Sequence, residues 1–202
     1  MKIGIIGTGN IGTNLARLFV KAGHEVILSW SRSPQKLIEL SIELGNHQKA
    51  KAASVLEAVQ DVDISILSVR FAIMDEVKAQ MGNLEGKIIV DTNNPYDVKL
   101  QKGFSAAAEV KRRFPGIKLV KAFNTLYYAL LLSESFANPP VIIPVSSDEE
   151  DAKDIVVKLI RDIGFVPFDI GGLENVLLQE PGGPFFNKLL TADQAKELSN
   201  GL

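Results

Sequence analysis

The chain contains no cysteine, which excludes disulfide staples, thiolate metal sites and cysteine nucleophiles. Histidine is scarce. The two present, His24 and His47, fall in a turn and a loop and are expected at the surface, away from any reacting centre. No cluster of side chains has metal-ligand spacing. Long apolar runs are missing too: the longest, 126–132, is far short of the ~20 residues a membrane span needs. Met1-Lys2 leads straight into an apolar run, without the layout of a signal peptide. These absences predict a cytoplasmic protein with no membrane partner.

Charge of either sign is not concentrated. With 22 basic and 24 acidic residues the net charge is −2, and no basic stripe exists of the kind that nucleic acid requires. Residues 1–147 carry 17 basic and 13 acidic side chains, whereas residues 148–202 carry 5 and 11. The mildly basic first part suits a small polyanionic ligand. A hydrophobic content of 46% is too high for a disordered chain. Repeats and low-complexity tracts are absent.

What the sequence does have is a strand–helix rhythm. An apolar run at 2–6 reads as a strand. Residues 10–22 follow with Ile11, Leu15, Leu18 and Phe19 at helical spacing, and Gly23 stops them. A second strand is expected at 25–30. Ser33-Pro34 opens a helix that ends before Gly45, and Ser54 with Glu57 has capping-box spacing. Strands at 63–68, 87–90 and 117–123 alternate with helices at 71–80 and 105–114. A strand at 141–145, a helix at 148–163 and a strand at 165–169 form a βαβ extension, followed by a helical 173–180. The Pro181-Gly182-Gly183-Pro184 stretch predicts an irregular or helical tail over 182–202. Such alternation gives an α/β fold, a doubly wound and mostly parallel sheet with helices on both faces. It reads as one domain over 1–181.

The chemistry begins at Gly7-Thr8-Gly9-Asn10-Ile11-Gly12. This G-x-G-x-x-G follows a strand and opens a helix, the context in which it binds a dinucleotide. Gly7 permits the turn, Gly9 admits the pyrophosphate, and Gly12 allows close helix–strand packing. The free N–H groups at the helix start face the phosphates. The end of the second strand selects the cofactor. An Asp or Glu there would bond the ribose 2′-hydroxyl of NAD. Ser31-Arg32-Ser33 has no acid and offers a guanidinium and two hydroxyls to a 2′-phosphate. NADP(H) is therefore the expected cofactor.

In a doubly wound sheet the ligand lies over the carboxyl ends of the strands. Those ends supply Ser68-Val69-Arg70, Asn94-Pro95 and Ala122-Phe123-Asn124. Pro95 and Phe123 are expected to shape the wall of the pocket, and Asn94 and Asn124 to orient a carboxamide or an acceptor. Arg70 can receive an anionic acceptor, or else point to solvent or pair with Asp75 or Glu76. Lys121 reads as structural or cofactor-facing. No nucleophile–base pair is visible. Hydride transfer needs none, because the cofactors carry that chemistry.

Gly7–Gly12, Ser31-Arg32-Ser33, the Asp91 to Asn94-Pro95 turn and above all Lys121-Ala122-Phe123-Asn124-Thr125 resemble the NADP oxidoreductases that depend on the deazaflavin coenzyme F420. The order Gly164-Phe165, Gly171-Gly172-Leu173, Glu180-Pro181 is similar as well. The resemblance covers about 1–181 and implies a Rossmann-like sheet. It also implies hydride exchange between NADP(H) and a deazaflavin, flavin or related small-molecule redox acceptor, and a homodimer. The chain departs from the family at Arg70, where proline is usual, at Asn93, where threonine is usual, and in the tail after Pro181. A non-catalytic NADP(H)-binding sensor is the alternative reading, and the acceptor pocket is what distinguishes the two.

Overall fold

The computed structural model describes residues 1–31, 33–45, 49–100 and 103–201. The chain opens with β1 (Lys2–Ile6), whose pleat sends Ile3 and Ile5 to one face and Gly4 and Ile6 to the other. Then come α1 (Asn10–Lys21), β2 (Glu25–Ser29), α2 (Pro34–Glu43), β3 (Ala50–Ala52), α3 (Glu57–Gln60) and β4 (Ile64–Leu67). A 3-10 turn at Phe71–Ile73 runs into α4 (Met74–Lys78), followed by β5 (Ile88–Asp91), α5 (Ala106–Arg113) and β6 (Lys118–Lys121). These six strands pair in parallel in the order β3-β2-β1-β4-β5-β6. This is the strand order of the Rossmann fold. The order reverses between β1 and β4, so a crevice opens above their carboxyl ends.

The second part of the chain adds α6 (Tyr128–Ser133), β7 (Ile142–Val145), α7 (Glu150–Asp162), β8 (Val166–Asp169), a 3-10 helix at Leu173–Leu178 and α8 (Ala192–Ser199). β7 and β8 form a separate parallel pair. An antiparallel bridge between Lys121 and Ser146 joins the two sheets.

Alternation along the strands divides the core. On one face Ile3, Ile5, Leu28, Ile66 and Val120 pack with Leu15 and Phe19 of α1 and with Val156 and Leu159 of α7. On the other, Ile6, Ile27, Leu67 and Leu119 pack with α3, α4 and α5. A methyl on Gly4 would come within 1.8 Å of the Ala58 carbonyl oxygen, so α3 lies directly on β1. Residues after Pro184 close a third small cluster, in which Phe185 tilts against Phe168 with ring centres 5.4 Å apart.

Some elements differ from the expectation. The edge strand β3 has three residues, too few to show a period, and is not among the expected strands. β2 stops at Ser29 because Trp30 turns left-handed, with φ 58°. The helix expected at 71–80 divides into a 3-10 turn and a short α4, and that expected at 173–180 is a 3-10 helix ending at Leu178. The apolar run at 126–132 contains α6, which had no helical reading. His24 is buried rather than at the surface, packed edge-on against Phe19 with ring centres 6.0 Å apart. His47 lies outside the described residues.

Candidate active site

The turn after β1 holds three glycines for two different reasons. Gly7 has φ +101°, and a methyl there would come within 2.1 Å of the Ser68 carbonyl oxygen. A methyl on Gly12 would come within 2.0 Å of the Gly7 carbonyl oxygen. The protein itself therefore demands glycine at both positions. Gly9 is different. It caps α1 with φ −76° and ψ −165°, a conformation open to any residue, and a methyl on it would meet nothing within 4 Å. The bare backbone at Gly9 faces open space that a ligand can fill. The turn is tied to the end of β2: Gly7 N–H donates to the Ser29 carbonyl at 2.9 Å, and Thr8 N–H to the Trp30 carbonyl at 3.2 Å.

Above the switch point lies a cleft of about 600 Å³. Gly9, Asn10 and Ile11 line it from the start of α1, and Ser68, Val69 and Arg70 from the end of β4. Asn94 and Asn124 enter from the ends of β5 and β6. Eight of the residues singled out in the sequence thus meet on one wall. The other described ones do not line the cleft. Gly7, Thr8 and Gly12 build the turn. Ser31 and Ser33 lie past β2, where the Ser31 hydroxyl accepts from Ser33 N–H at 3.2 Å. Arg32 lies outside the described residues. Pro95 is half-buried and off the wall, and Ala122 is in the core. Phe123 corrects the expectation most clearly. Its φ of 60° breaks the alternation of the strand end, and its ring is fully buried, edge-on to Phe19 at 6.2 Å.

The wall is held by a buried polar network. Lys121 and Asp91 are both fully buried, with Nζ 2.7 Å from Oδ2. The other Asp91 oxygen accepts from the Asn93 side-chain amide at 2.7 Å and from Asn93 N–H at 2.9 Å. Asn94 and Asn124 clasp each other: Asn94 Nδ2 donates to the Asn124 carbonyl at 2.8 Å, and Asn124 Nδ2 to Asn94 Oδ1 at 3.2 Å. Asn124 Nδ2 also donates to the Gln179 carbonyl at 2.8 Å. Glu180 accepts from the first amides of α5, Ala106 and Ala107, at 2.7 and 2.9 Å. Lys121 is thus structural and faces the interior.

Sequence reasoning missed several residues lining the cleft. Tyr127 and Tyr128 line it with ring centres 4.4 Å apart, and Phe186 and Asn187 reach it from the tail. Hydrogen bonding to Tyr128 holds the Tyr127 hydroxyl above its ordinary pKa. Adjacent tyrosines directly after a strand-end motif were the available signal. Phe186 and Asn187 gave none. Asn187 N–H donates to the Thr125 carbonyl at 2.8 Å, which ties the tail to the loop after β6. The buried hydroxyl of Thr125, also in the cleft lining, has no partner among the described residues.

Comparison with known proteins agrees with this geometry. The sequence profile described as NADP oxidoreductase, coenzyme F420-dependent, matches residues 2–95. The F420-dependent NADP reductase of Methanothermobacter thermautotrophicus is 30% identical over 212 residues, covering 94% of this chain and 89% of that protein. The chain belongs to the coenzyme F420-dependent NADP oxidoreductase family. Its fold is also that of hypothetical protein SMa0349 from Sinorhizobium meliloti, at 32% identity and TM-score 0.85 over 96% of each chain. Metalloreductase STEAP3 of Rattus norvegicus is 32% identical over 174 residues, which is 85% of this chain and 34% of that protein. The chain thus spans about a third of the length of the metalloreductases it matches. In this chain the cleft combines the Gly9–Ile11 turn with a lining that includes Arg70.

Proposed function

We propose that the protein is a reductase that binds NADPH across the β1–β4 switch point and passes a hydride to a planar acceptor, a deazaflavin or flavin, in the same cleft. The observation that carries this reading is the convergence of the Gly9–Ile11 turn with the ends of β4, β5 and β6 on one cleft. The fit of the dinucleotide rests on Gly9, whose missing side chain nothing in the protein requires. Amides at the start of α1 would receive the pyrophosphate, and Ser31, Arg32 and Ser33 the 2′-phosphate.

When bound, NADPH supplies the hydride. The chain supplies alignment and the exclusion of water. The Asn94–Asn124 clasp fixes two amide side chains at the cleft wall, and the Lys121–Asp91 pair fixes the clasp from below. Tyr127, Tyr128 and Phe186 add flat apolar faces to the cleft, on which an aromatic acceptor can stack. No residue need donate or accept a proton at the transferred hydrogen.

The test is anaerobic oxidation of NADPH with coenzyme F420, FMN, riboflavin and a ferric chelate as separate acceptors. Reduction of a flavin or of the deazaflavin supports the reading. Tight NADPH binding with no acceptor reduced would move the protein to the sensor class, and reduction of the ferric chelate alone would replace the acceptor.

A further inference from the structure

Arg70 is an exposed cation on the wall of the cleft. Among the described residues it forms no ion pair, because nearby carboxylates are engaged elsewhere. Both oxygens of Asp97, the one carboxylate among the described cleft-lining residues, accept backbone amides: Phe71 N–H at 3.3 Å and Ala72 N–H at 3.1 Å. Asp75 lies 3.6 Å from Arg113, and of the two alternatives for Arg70, solvent or a pair with Asp75 or Glu76, the described residues show the exposed side chain and no such pair.

The turn that carries Arg70 is braced from both sides. Asp97 holds its amides, and Arg113 donates to the Phe71 carbonyl at 2.9 Å with its guanidinium 6.0 Å from the Phe71 ring centre. Arg113 is fixed in turn by Glu109 at 2.7 Å. A guanidinium is charged at every working pH. The structure therefore presents an exposed charge on a braced turn, with no ion-pair partner among the described residues.

The proposed dinucleotide does not use this charge. Its pyrophosphate has the amides of α1, and its 2′-phosphate lies towards β2, on the other side of β1 from Arg70. The nicotinamide becomes cationic when it gives up its hydride, which a lone guanidinium on the same wall opposes. An anion on the acceptor removes that conflict. The unpartnered Thr125 hydroxyl and the protonated Tyr127 hydroxyl add neutral hydrogen-bonding groups to the same cleft.

Resting on the reading above, we propose that Arg70 selects a hydride acceptor whose planar ring carries a phosphate group. The reaction balances as NADPH, oxidised acceptor and one solvent proton giving NADP⁺ and the two-electron-reduced acceptor. The C–H bond at the dihydronicotinamide C4 breaks with its electron pair, and a new bond forms at the acceptor ring. Arg70 takes no part in that exchange. It acts on the substituent.

FMN and riboflavin share one ring and differ by a phosphate, so their ratio isolates the charge. The KM for FMN should be at least tenfold below that for riboflavin, a gap that narrows as salt is raised. Arg70→Ala should bring the two within about twofold, and Arg70→Lys should restore part of the gap. NADPH affinity, read by cofactor fluorescence, reports separately on the dinucleotide. A second arm needs no turnover: quenching of FMN and riboflavin fluorescence on the NADP⁺-loaded protein. Equal use or equal binding of the two flavins by the wild type, or failure to bind either, overturns the proposal. So does an unchanged ratio in Arg70→Ala. Parallel loss of NADPH affinity in that variant would assign Arg70 to the dinucleotide instead. Those outcomes leave the dinucleotide reading standing, whereas a wild-type protein that does not bind NADPH overturns both.

Discussion

An alanine at position 9 would touch nothing in the protein and would sit in a comfortable backbone conformation. It would nonetheless put a methyl where the pyrophosphate must approach. Gly9→Ala is therefore expected to fold normally and to lose at least about tenfold in affinity for NADPH and NADH alike, roughly 1.4 kcal/mol. Circular dichroism and calorimetric titration check the two halves, and full affinity in a folded variant would remove the ligand from this turn. Arg32→Ala should act on one nucleotide only. Loss of a charge-assisted contact, about 1.5–3 kcal/mol, weakens NADPH tenfold or more and leaves NADH nearly unchanged. Equal weakening of both would show that Arg32 does not read the 2′-phosphate. At this scale the phosphate turn was legible because spacing and context define it. The burial of Phe123 was not, since a positive φ at a phenylalanine leaves no mark in a sequence.

Among the elements, β5 and β6 depend on each other through Asp91 and Lys121. Both charges are out of water, so each is tolerable only with its partner. Lys121→Met is expected to destabilise the protein by roughly 3–5 kcal/mol, with the Asp91→Asn/Lys121→Met double variant recovering a good part of that. Urea unfolding measures it, and additive losses in the double variant would argue against the pair. The sheet was readable from its strands, buried on both faces and rich in valine and isoleucine. The edge strand β3 was not, because three residues carry no period. Nor was the 3-10 turn at Phe71, whose shape is set by Asp97 and Arg113 from distant elements. The same distance hid Lys121: a lysine beside a strand end reads equally well as a ligand group or as half of a buried pair.

At the scale of the molecule, His24 joins the two parts of the chain. It is buried in the turn after α1, with Nε2 3.3 Å from Asp162 Oδ2 of α7 but not aligned for a hydrogen bond. Burial is the main cause that lowers its pKa below the ordinary histidine value, and Asp162 offsets this only in part. Above about pH 6.5 both folded and unfolded states hold a neutral ring. As pH falls from there towards the lowered value, the unfolded state takes up a proton that the folded state refuses, and stability declines. The wild type should therefore lose more stability between pH 7 and pH 5.5 than His24→Gln does. Identical slopes in chemical denaturation would show that His24 is not the group responsible. The sequence placed this histidine in its turn correctly but not its depth, because α7, which covers it, lies far along the chain.

The cleft draws its two ends from nearly opposite ends of the described chain: Gly9 in the first turn, and Phe186 and Asn187 in the tail that Phe185 anchors. A ribosome delivers these in order, and folding during synthesis proceeds from the N-terminus. A nascent chain stalled near residue 180 already has every strand of the six-stranded sheet. It has not yet made Phe186 and Asn187, which complete the cleft lining. Growing chains thus acquire a cofactor turn well before they acquire an enclosed site. With the dinucleotide bound as proposed, early release of the polypeptide would leave a fragment that holds it without Phe186 and Asn187 beside its reactive end.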